Sequence, residues 1–365
     1  MSFSGFLPPR KPIPSFWNPA HQGYVFLHLG ENPFPPTEPI LHAISQAAQN
    51  ANRYPDADAT ILRKKLADYV GFGVTAKNIW VGNGSDELID LAIVSFTAVD
   101  QGILTFDPTF FVYTFAAKRH GVPVYSLPRA EDYALPASEN LFGEKTSPPE
   151  SAIALTFIAN PNNPTGTLTP RRRVREVMEK LPGIVVIDEC YYEFCGETMA
   201  DLVHEHERLI IFRSLSKSFG LSGLRLGYAV AHERLIDTLA RHAMTFPVNA
   251  LAQAAGIAAL EQVDVYRRQI EELKYRRDQL QRELSQLGFS VLPSHTNFLL
   301  ALAPENFVPV NPAKTLAEKG LLVSDQTSTP GISQPAIRIA VGTEKENRRL
   351  IEMIRGIIAS YINVI

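Results

Sequence analysis

Short apolar segments that alternate with helical patterns are the feature of this sequence that most restricts its fold. Each segment is long enough for one buried strand and ends at a turn signal. Apolar residues recur at helical spacing between the segments, which is the pattern of crossover units in a largely parallel sheet. The sequence therefore predicts an α/β fold. The predicted strands of the sheet are 78–81 (NIWV), 103–106 (ILTF), 153–158 (IALTFI), 184–187 (IVVI) and 209–212 (LIIF).

Cap signals predict where some of the intervening helices start. After Gly-Asn-Gly, a helix is expected to begin at Ser85, with Asp86 placing negative charge in its first turn, where the helix dipole favours it. Farther along, Thr169 is predicted to be the N-cap of another helix, with Pro170 as its first helical residue. Residues 58–70 also show an amphipathic helical pattern.

The pattern of the chain changes near residue 248, and a length of 365 residues corresponds to about two domains. We predict a large domain over residues 55–247 and a smaller domain over residues 248–365. The proline-rich residues 1–54 are expected to form an N-terminal arm and part of the small domain. The predicted elements of the C-terminal part are a helix at 264–287, strands at 297–302 and 336–341, and a closing helix from Glu344.

Charge and cysteine content argue against several classes of partner and site. With 35 basic and 38 acidic side chains the net charge is -3, so no global field is present to hold nucleic acid or an anionic membrane. No run reaches the ~18 apolar residues of a membrane span, and the proline-rich N-terminus is unlike a signal peptide. Cys190 and Cys195 cannot form a disulfide network and have no neighbouring pair that would complete a metal site. We therefore expect a soluble cytoplasmic protein without a metal.

The segment RSLSKSFGLSGLRLGYAVA (213–231) carries the most chemical information. Lys217 lies in a loop between two apolar strands, with Ser214 and Ser216 before it and Arg225 after it. A lysine among hydroxyls beside an arginine suits an amine that forms a Schiff base with an aldehyde cofactor, while its neighbours hold an anion. The neighbouring cation is expected to lower the lysine pKa. The alternative is an ordinary solvated loop lysine.

A carboxylate follows another buried strand, in IVVIDECYYEF. Asp188 stands at the carboxyl end of that strand, where open α/β sheets place ligand contacts. Next to a pyridine nitrogen it would keep the ring protonated and make it an electron sink, and Tyr191 could donate to a phenolate oxygen on the same ring. The alternative is a carboxylate that caps the end of the strand.

Three motifs, taken with their order and the spacing between them, resemble those of the fold-type I aminotransferases that use pyridoxal 5'-phosphate. The motifs are NPNNPTG (160–166), IDECY (187–191) and SLSKSFGLSGLRLG (214–227). The chain is most similar to the histidinol-phosphate aminotransferase group, from about Glu31 to Thr343. This resemblance implies an aspartate aminotransferase-like fold, with helices on both sides of a mostly parallel sheet in a large domain and a smaller α+β domain.

The resemblance also implies a role for each matching residue. Lys217 would be the Schiff-base lysine and proton shuttle, and Asp188 would pair with the pyridine nitrogen. Asn163 and Tyr191 would bind the ring oxygen, and the Asn163–Pro164 peptide bond would be cis. The residues implied to bind the cofactor phosphate are Ser85 and Asp86 through their backbone amides, together with Ser214, Ser216 and Arg225.

Aromatic residues at two further positions match the family. Phe110 stands where a tyrosine usually stacks on the cofactor ring, and phenylalanine keeps the stacking face. The alternative is that Phe110 belongs to the core and Tyr113 provides the platform. Tyr54 matches a tyrosine that reaches the cofactor phosphate of the neighbouring subunit, which implies a homodimer with shared active sites. The alternative is an ordinary aromatic residue in a turn.

The substrate is expected to meet residues from the C-terminal part of the chain. Arg338 lies among apolar residues in AIRIAV, and a bidentate contact with a substrate carboxylate would satisfy a buried arginine, as it does in the family. The alternative is a structural salt bridge. Asn297 and Gly30 also match family positions near the substrate.

The match breaks at the substrate phosphate. The family usually has an arginine where this chain has Ser324, and a hydroxyl there removes a charge-assisted contact typically worth ~1.5–3 kcal/mol. His28 and Gly30 also replace the usual asparagines of an entry motif. Arg10 or Lys11 from the N-terminal segment are candidates to compensate.

These observations predict a pyridoxal-phosphate-dependent aminotransferase that acts on a small-molecule amino donor and a 2-oxo acid. Histidinol phosphate with 2-oxoglutarate, as in histidine biosynthesis, is the first substrate hypothesis. An aromatic or other unphosphorylated amino acid is the second, because of Ser324. A decarboxylase of the threonine-phosphate type and a catalytically silent, cofactor-binding regulatory module are the remaining alternatives.

Overall fold

The computed structural model describes residues 23–142, 149–304 and 311–362. Strands and helices are numbered along the chain. The strands are β1 Val25–Leu27, β2 Ile79–Gly82, β3 Gly102–Asp107, β4 Val124–Pro128, β5 Ile153–Ala159, β6 Ile184–Asp188, β7 Leu209–Ser214, β8 Gly227–Ala231, β9 Ser290–Val291, β10 Phe298–Leu302, β11 Leu321–Asp325 and β12 Ala336–Ala340. The helices are α1 Glu38–Ala48, α2 Thr60–Val70, α3 Ser85–Phe96, α4 Phe111–Arg119, α5 Arg171–Lys180, α6 Tyr192–Cys195, α7 Glu233–His242, α8 Ala250–Leu260, α9 Val263–Gln286, α10 Pro312–Glu318 and α11 Glu344–Ile362.

Within the described ranges, the larger sheet has seven strands in the order β2-β8-β7-β6-β5-β3-β4. Strands β7, β6, β5, β3 and β4 run parallel to one another, and β8 pairs antiparallel with both β2 and β7. Four of the five apolar segments found in the sequence form the adjacent strands β7, β6, β5 and β3, and the fifth forms β2 at the edge, beyond β8. The prediction of a largely parallel α/β sheet is therefore confirmed.

Helices cover both faces of the larger sheet because successive strand residues point to opposite sides. On β6, Ile187 packs in a core with α2, α5 and α8, to which Leu62, Val174 and Ala255 belong. Its neighbour Val186 packs in a second core, with α3, α4 and α7. Both faces of the strands are thus buried, which explains their continuous apolar runs.

A smaller sheet joins the two ends of the described chain. Among the described residues it has five strands, in the order β1-β11-β12-β10-β9. The N-terminal β1 pairs parallel with β11, and the remaining pairs are antiparallel. Helices α9 and α11 pack on this sheet through apolar residues such as Leu284 and Leu350. The β1–β11 pairing holds the N-terminal segment against the C-terminal part of the chain.

Two details differ in part from the sequence analysis. Thr169 is not the N-cap of α5, because its hydroxyl accepts a hydrogen bond from the Leu135 amide instead (3.0 Å), and Pro170 occupies the cap position. Helix α8 lies C-terminal to the predicted domain boundary but contributes Ala255 to the core on the larger sheet. The domain limits themselves stay a prediction. None of the helices in the described part of the chain is long and apolar enough to span a membrane.

Candidate active site

The carboxyl ends of adjacent parallel strands place several predicted site residues at one edge of the larger sheet. Asp188 is the last residue of β6 and Ser214 is the last residue of β7, while Asn160, which begins the NPNNPTG motif that contains Asn163, directly follows β5. Strand β6 lies between β5 and β7 and is parallel to both, so these ends lie side by side. Ligands of open α/β sheets bind at this edge.

Asp188 is buried and is held by two donors. The Tyr113 hydroxyl donates to its Oδ2 atom (2.6 Å), and the backbone amide of Cys190 donates to its Oδ1 atom (3.0 Å). Burial raises the pKa of the Asp188 carboxyl, and the hydrogen bonds from Cys190 and Tyr113 oppose this shift. The carboxylate at the end of β6 is therefore fixed in orientation before any ligand arrives.

The Tyr113 contact separates the two alternatives for the stacking residue. The Tyr113 ring is fully buried and stacks parallel on Phe157, with ring centroids 4.7 Å apart. Phe157 covers one face of this ring and no part of the ring is exposed, so Tyr113 cannot also be the platform. Phe110 is only partly buried and meets Tyr113 edge-on. Of the two rings, Phe110 is the one that has a face left for a ligand.

The Lys217 amine lies in the same site and has an unusually acidic ammonium form. Its Nζ atom donates to the Leu29 carbonyl oxygen (3.0 Å). Burial, followed by the positive charge of Arg338, lowers the pKa of Lys217 to about 8. The prediction that the pKa is lowered is confirmed, but the cation responsible was wrongly assigned to Arg225. The side chain of Arg225 extends instead toward the start of α3.

Three consecutive carbonyl groups, those of His28, Leu29 and Gly30, hold three of the site residues. Arg338 donates from Nη2 to the His28 oxygen (2.8 Å), Lys217 to the Leu29 oxygen (3.0 Å), and Asn297 from Nδ2 to the Gly30 oxygen (2.9 Å). We call residues 28–30 the carbonyl segment. It follows β1 directly and so ties residues of the smaller sheet to the lysine loop of the larger one.

Gly30 marks the point at which the functional groups converge. A Cβ atom on this residue would lie 3.7 Å from each of three atoms: the Lys217 Nζ, the Tyr191 hydroxyl and the Asn297 Oδ1. Gly30 has a φ of +67°, which favours glycine. The Asn297 Oδ1 atom is buried and accepts no hydrogen bond within the described residues. A polar ligand donor at this point would satisfy it.

The start of α3 forms a second subsite, suited to an anion. The first amides of a helix have no acceptor within the helix, and those of Ser85 and Asp86 begin α3. The Arg225 Nη2 atom lies 3.3 Å from the Asp86 carboxylate, and a Cβ atom on Gly84 would collide with the same guanidinium. A Cβ atom on Gly227 would lie 2.6 Å from the Ser85 amide nitrogen, so only glycine fits there.

The two serines of the lysine loop adjoin this subsite. Ser214 pairs with Gly227 across the β7–β8 ladder, and Gly227 lies against the Ser85 amide. The Ser214 hydroxyl accepts a hydrogen bond from the Ser216 amide (3.1 Å), and both side chains are buried. The helix start, the guanidinium and Ser214 are therefore neighbours, an arrangement that suits a phosphate.

Arg338 and Asn163 meet on the other side of the site. The Arg338 Nη1 atom donates to the Asn163 Oδ1 atom, and its guanidinium lies over the Phe298 ring (5.1 Å). Burial lowers the pKa of Arg338, and Tyr191 opposes that shift. Neither of the two guanidinium hydrogen bonds described here goes to a carboxylate. The Asn163–Pro164 peptide bond is cis, which confirms that prediction.

Other predicted residues lie beside the site or outside it. Ser324 of β11 stands directly opposite Arg338 of β12 and therefore shares its face of the smaller sheet, and the Gln326 amide donates to its hydroxyl (2.8 Å). Tyr54 is not brought to the site within this chain, because it is 82% exposed and stacks on Phe246. Arg10 and Lys11 lie outside the described residues.

Two contacts of the site were not predicted from the sequence. The role of Tyr113 as a donor to Asp188 could have been suspected from its position three residues after Phe110 in the same helical turn. The carbonyl segment had no such signal, because any residue can supply a backbone carbonyl.

Comparison with known proteins agrees with this geometry. Residues 23–354 match the family model described as aminotransferase class I and II. The histidinol-phosphate aminotransferase of Pyrococcus furiosus is 34% identical over 335 residues, which cover 91% of each protein. The "Histidinol-phosphate aminotransferase 1" of Bradyrhizobium diazoefficiens is 36% identical over 93% of this chain and 94% of its own length.

A solved structure supports the fold. The histidinol-phosphate aminotransferase of Sinorhizobium meliloti in complex with pyridoxal-5'-phosphate superimposes with a TM-score of 0.80 at 24% identity, covering 94% of this chain and 93% of that one. The family match indicates pyridoxal phosphate as the cofactor. The protein therefore belongs to the class I and II aminotransferase family and is a pyridoxal-phosphate-dependent transaminase.

Proposed function

We propose that this transaminase moves an amino group from histidinol phosphate to 2-oxoglutarate, and that the residues described above carry out the reaction. The convergence of the Lys217 amine, the Tyr191 hydroxyl and the Asn297 amide oxygen around Gly30 supports the assignment most directly. The substrate rests on relatives such as the Pyrococcus furiosus protein, which bears the name histidinol-phosphate aminotransferase.

The described residues fit the cofactor at each of its polar groups. Asp188 would meet the ring nitrogen, and Tyr191 with Asn163 would bind the ring oxygen. Phe110 would cover one face of the ring. The phosphate would lie at the start of α3, bound by the amides of Ser85 and Asp86 and by Ser214, Ser216 and Arg225. When bound, the cofactor supplies an electron sink for the bonds at the substrate Cα.

Lys217 would act first as a nucleophile and then as a base. A pKa of about 8 leaves an appreciable share of the amine uncharged at neutral pH, whereas an ordinary lysine has a pKa of ~10.4 and is almost fully protonated there. The neutral Nζ atom would accept the proton from the substrate Cα and return it to a cofactor carbon. Both tasks require an uncharged amine, which the burial and Arg338 favour.

Arg338 would bind an anionic group of the substrate, and its neighbour Ser324 bears on which substrate fits. Among the described residues, the Arg338 guanidinium donates to uncharged oxygens of Asn163 and His28, so a substrate anion would gain a charge-assisted contact there. Ser324 and Gln326, beside it, are uncharged. This observation favours the second candidate, an aromatic or other unphosphorylated amino acid, because residue 324 adds no second guanidinium for a dianionic phosphate.

The proposal includes a homodimer with shared active sites. Tyr54 and Phe246 stack at the surface, and the neighbouring Met244 is 72% exposed, so this region presents apolar area that a second copy could cover. Tyr54 would then reach the cofactor phosphate of the partner. We place the enzyme in a reducing compartment such as the cytoplasm, since Cys190 and Cys195 are free.

A half-reaction screen tests the substrate. Purified holoenzyme is mixed with histidinol phosphate, phenylalanine, tyrosine or other amino donors, and the visible absorbance of the bound cofactor is followed over a single turnover. We expect histidinol phosphate to react fastest. If it reacts no faster than the unphosphorylated donors, histidinol phosphate is excluded and the second candidate is favoured. A protein that reacts with no donor would instead be a silent binding module.

The acidity of Lys217 predicts a pH dependence that can be measured without substrate. In the cofactor-free protein, acetylation of the Lys217 amine should increase as the pH rises through about 8 and then level off. The reason is that the lowered pKa makes the amine neutral at a lower pH than in an ordinary lysine. Labelling is quantified by mass spectrometry of the digest from pH 6 to 11. Lys77, whose side chain is 78% exposed, serves as the internal reference. Identical profiles for the two lysines would contradict the lowered pKa.

The shared active site predicts a dimer in which Tyr54 supports cofactor binding. Analytical ultracentrifugation should give the mass of two chains, and Tyr54→Ala should weaken pyridoxal phosphate binding by about tenfold, as expected for the loss of one hydrogen bond to a charged group. Tyr275→Ala is the matched control, because Tyr275 is another exposed tyrosine. A fully active monomer, or equal effects of the two substitutions, would contradict the proposal.

A further inference from the structure

Tyr113 is a fully buried tyrosine whose hydroxyl is directed at a carboxylate. It lies in the first turn of α4 and donates to the Asp188 Oδ2 atom over 2.6 Å. Both groups are removed from solvent, so the hydrogen bond has no competition from water. Such a bond to an ionised partner is among the stronger ones in proteins.

The other Asp188 oxygen has its own donor, the Cys190 backbone amide at 3.0 Å. Rotation about the bond to a carboxylate is otherwise soft and broadly distributed. One donor on each oxygen therefore fixes the plane of the carboxylate. The backbone amide is present whatever the side chain of residue 190, so the donors that depend on side-chain identity are the Tyr113 hydroxyl and the Cys190 thiol.

The Tyr113 ring is itself immobilised by two aromatic neighbours. It lies parallel to the Phe157 ring, at 4.7 Å and an interplanar angle of 6°. Phe110 meets it edge-on at 5.6 Å and 89°. Since Phe110 directly precedes α4, one helix turn carries both the stacking ring and the donor to Asp188. A shift of either aromatic residue would move the other.

We propose that Tyr113 is a positioning residue of the transamination reaction, which holds the Asp188 carboxylate in the orientation that meets the nitrogen of the cofactor ring. This inference rests on the proposed role of Asp188. Tyr113 has no contact with substrate in the proposal and acts through Asp188 alone. Its effect should therefore be confined to properties that depend on that carboxylate.

The charges around Asp188 explain why a donor is needed. Burial and the negative charge of Asp86 both raise the pKa of the Asp188 carboxyl, whereas Tyr113 and the Cys190 amide and thiol lower it. Loss of the phenol would remove one of the stabilising contacts and leave the unfavourable ones in place. The Asp188 carboxylate would then take the proton of the ring nitrogen more readily, and its plane would be less firmly fixed.

Tyr113→Phe tests the proposal, because it deletes the hydroxyl and keeps the ring on Phe157. The cofactor-free variant is titrated with pyridoxal phosphate, and ¹⁵N NMR of cofactor labelled at the ring nitrogen reports its protonation. We expect the dissociation constant to rise about tenfold, equivalent to ~1.4 kcal/mol. The ¹⁵N resonance should move toward that of the neutral ring. Tyr266→Phe, another buried tyrosine packed on an aromatic ring, should change neither quantity.

A double-mutant cycle distinguishes positioning from general loss of stability. In an Asp188→Asn background, adding Tyr113→Phe should change cofactor affinity by less than about twofold, since the group through which Tyr113 acts is gone. Equal effects in both backgrounds, or an unchanged ¹⁵N resonance in Tyr113→Phe alone, would overturn the inference. Cofactor binding to the wild-type protein is measured before either variant. If the wild-type protein binds no pyridoxal phosphate, the proposed function fails instead of this inference.

Discussion

The carbonyl segment, residues 28–30, is the element on which the rest of the site depends. Its three consecutive oxygens accept hydrogen bonds from Arg338, Lys217 and Asn297, which come from distant parts of the chain. Two of these donors, Lys217 and Arg338, carry basic groups in a buried site, where burial lowers both pKa values and the charge of Arg338 lowers that of Lys217 further. Neutral backbone oxygens solvate both cations without neutralising them. The lysine therefore stays acidic and the arginine stays available to an anion.

This arrangement makes the two sheets a single functional unit. The larger sheet supplies Asp188 and Ser214 from the ends of its parallel strands, and the smaller sheet supplies Arg338. The carbonyl segment extends from β1, whose pairing with β11 anchors it to the smaller sheet. Ser324 and Arg338 are then neighbours in the same sheet, so the identity of residue 324 bears directly on the substrate.

Much of this could be predicted from the sequence, and the parts that could not share a physical cause. The larger sheet could be predicted because strands buried on both faces appear in the sequence as short continuous apolar runs. Contiguous sequence motifs were enough to predict roles for Lys217, Asp188 and Asn163. The effect of Arg338 on Lys217 and the contact of Tyr113 with Asp188 depend on long-range packing, which leaves no local pattern. The cap prediction for Thr169 failed for the same reason. Its hydroxyl accepts a hydrogen bond from the Leu135 amide, and that contact is equally non-local.

The central claim is that Lys217 is the residue to which the cofactor becomes covalently attached. Borohydride reduction of the holoenzyme followed by peptide mapping tests it most directly, because reduction makes the attachment permanent and tandem mass spectrometry locates it. The account predicts a single pyridoxyl group on Lys217, in the peptide that contains SLSKSFGLSGLR. A pyridoxyl group on another lysine, or an unmodified Lys217 in protein that retains the cofactor, would contradict it.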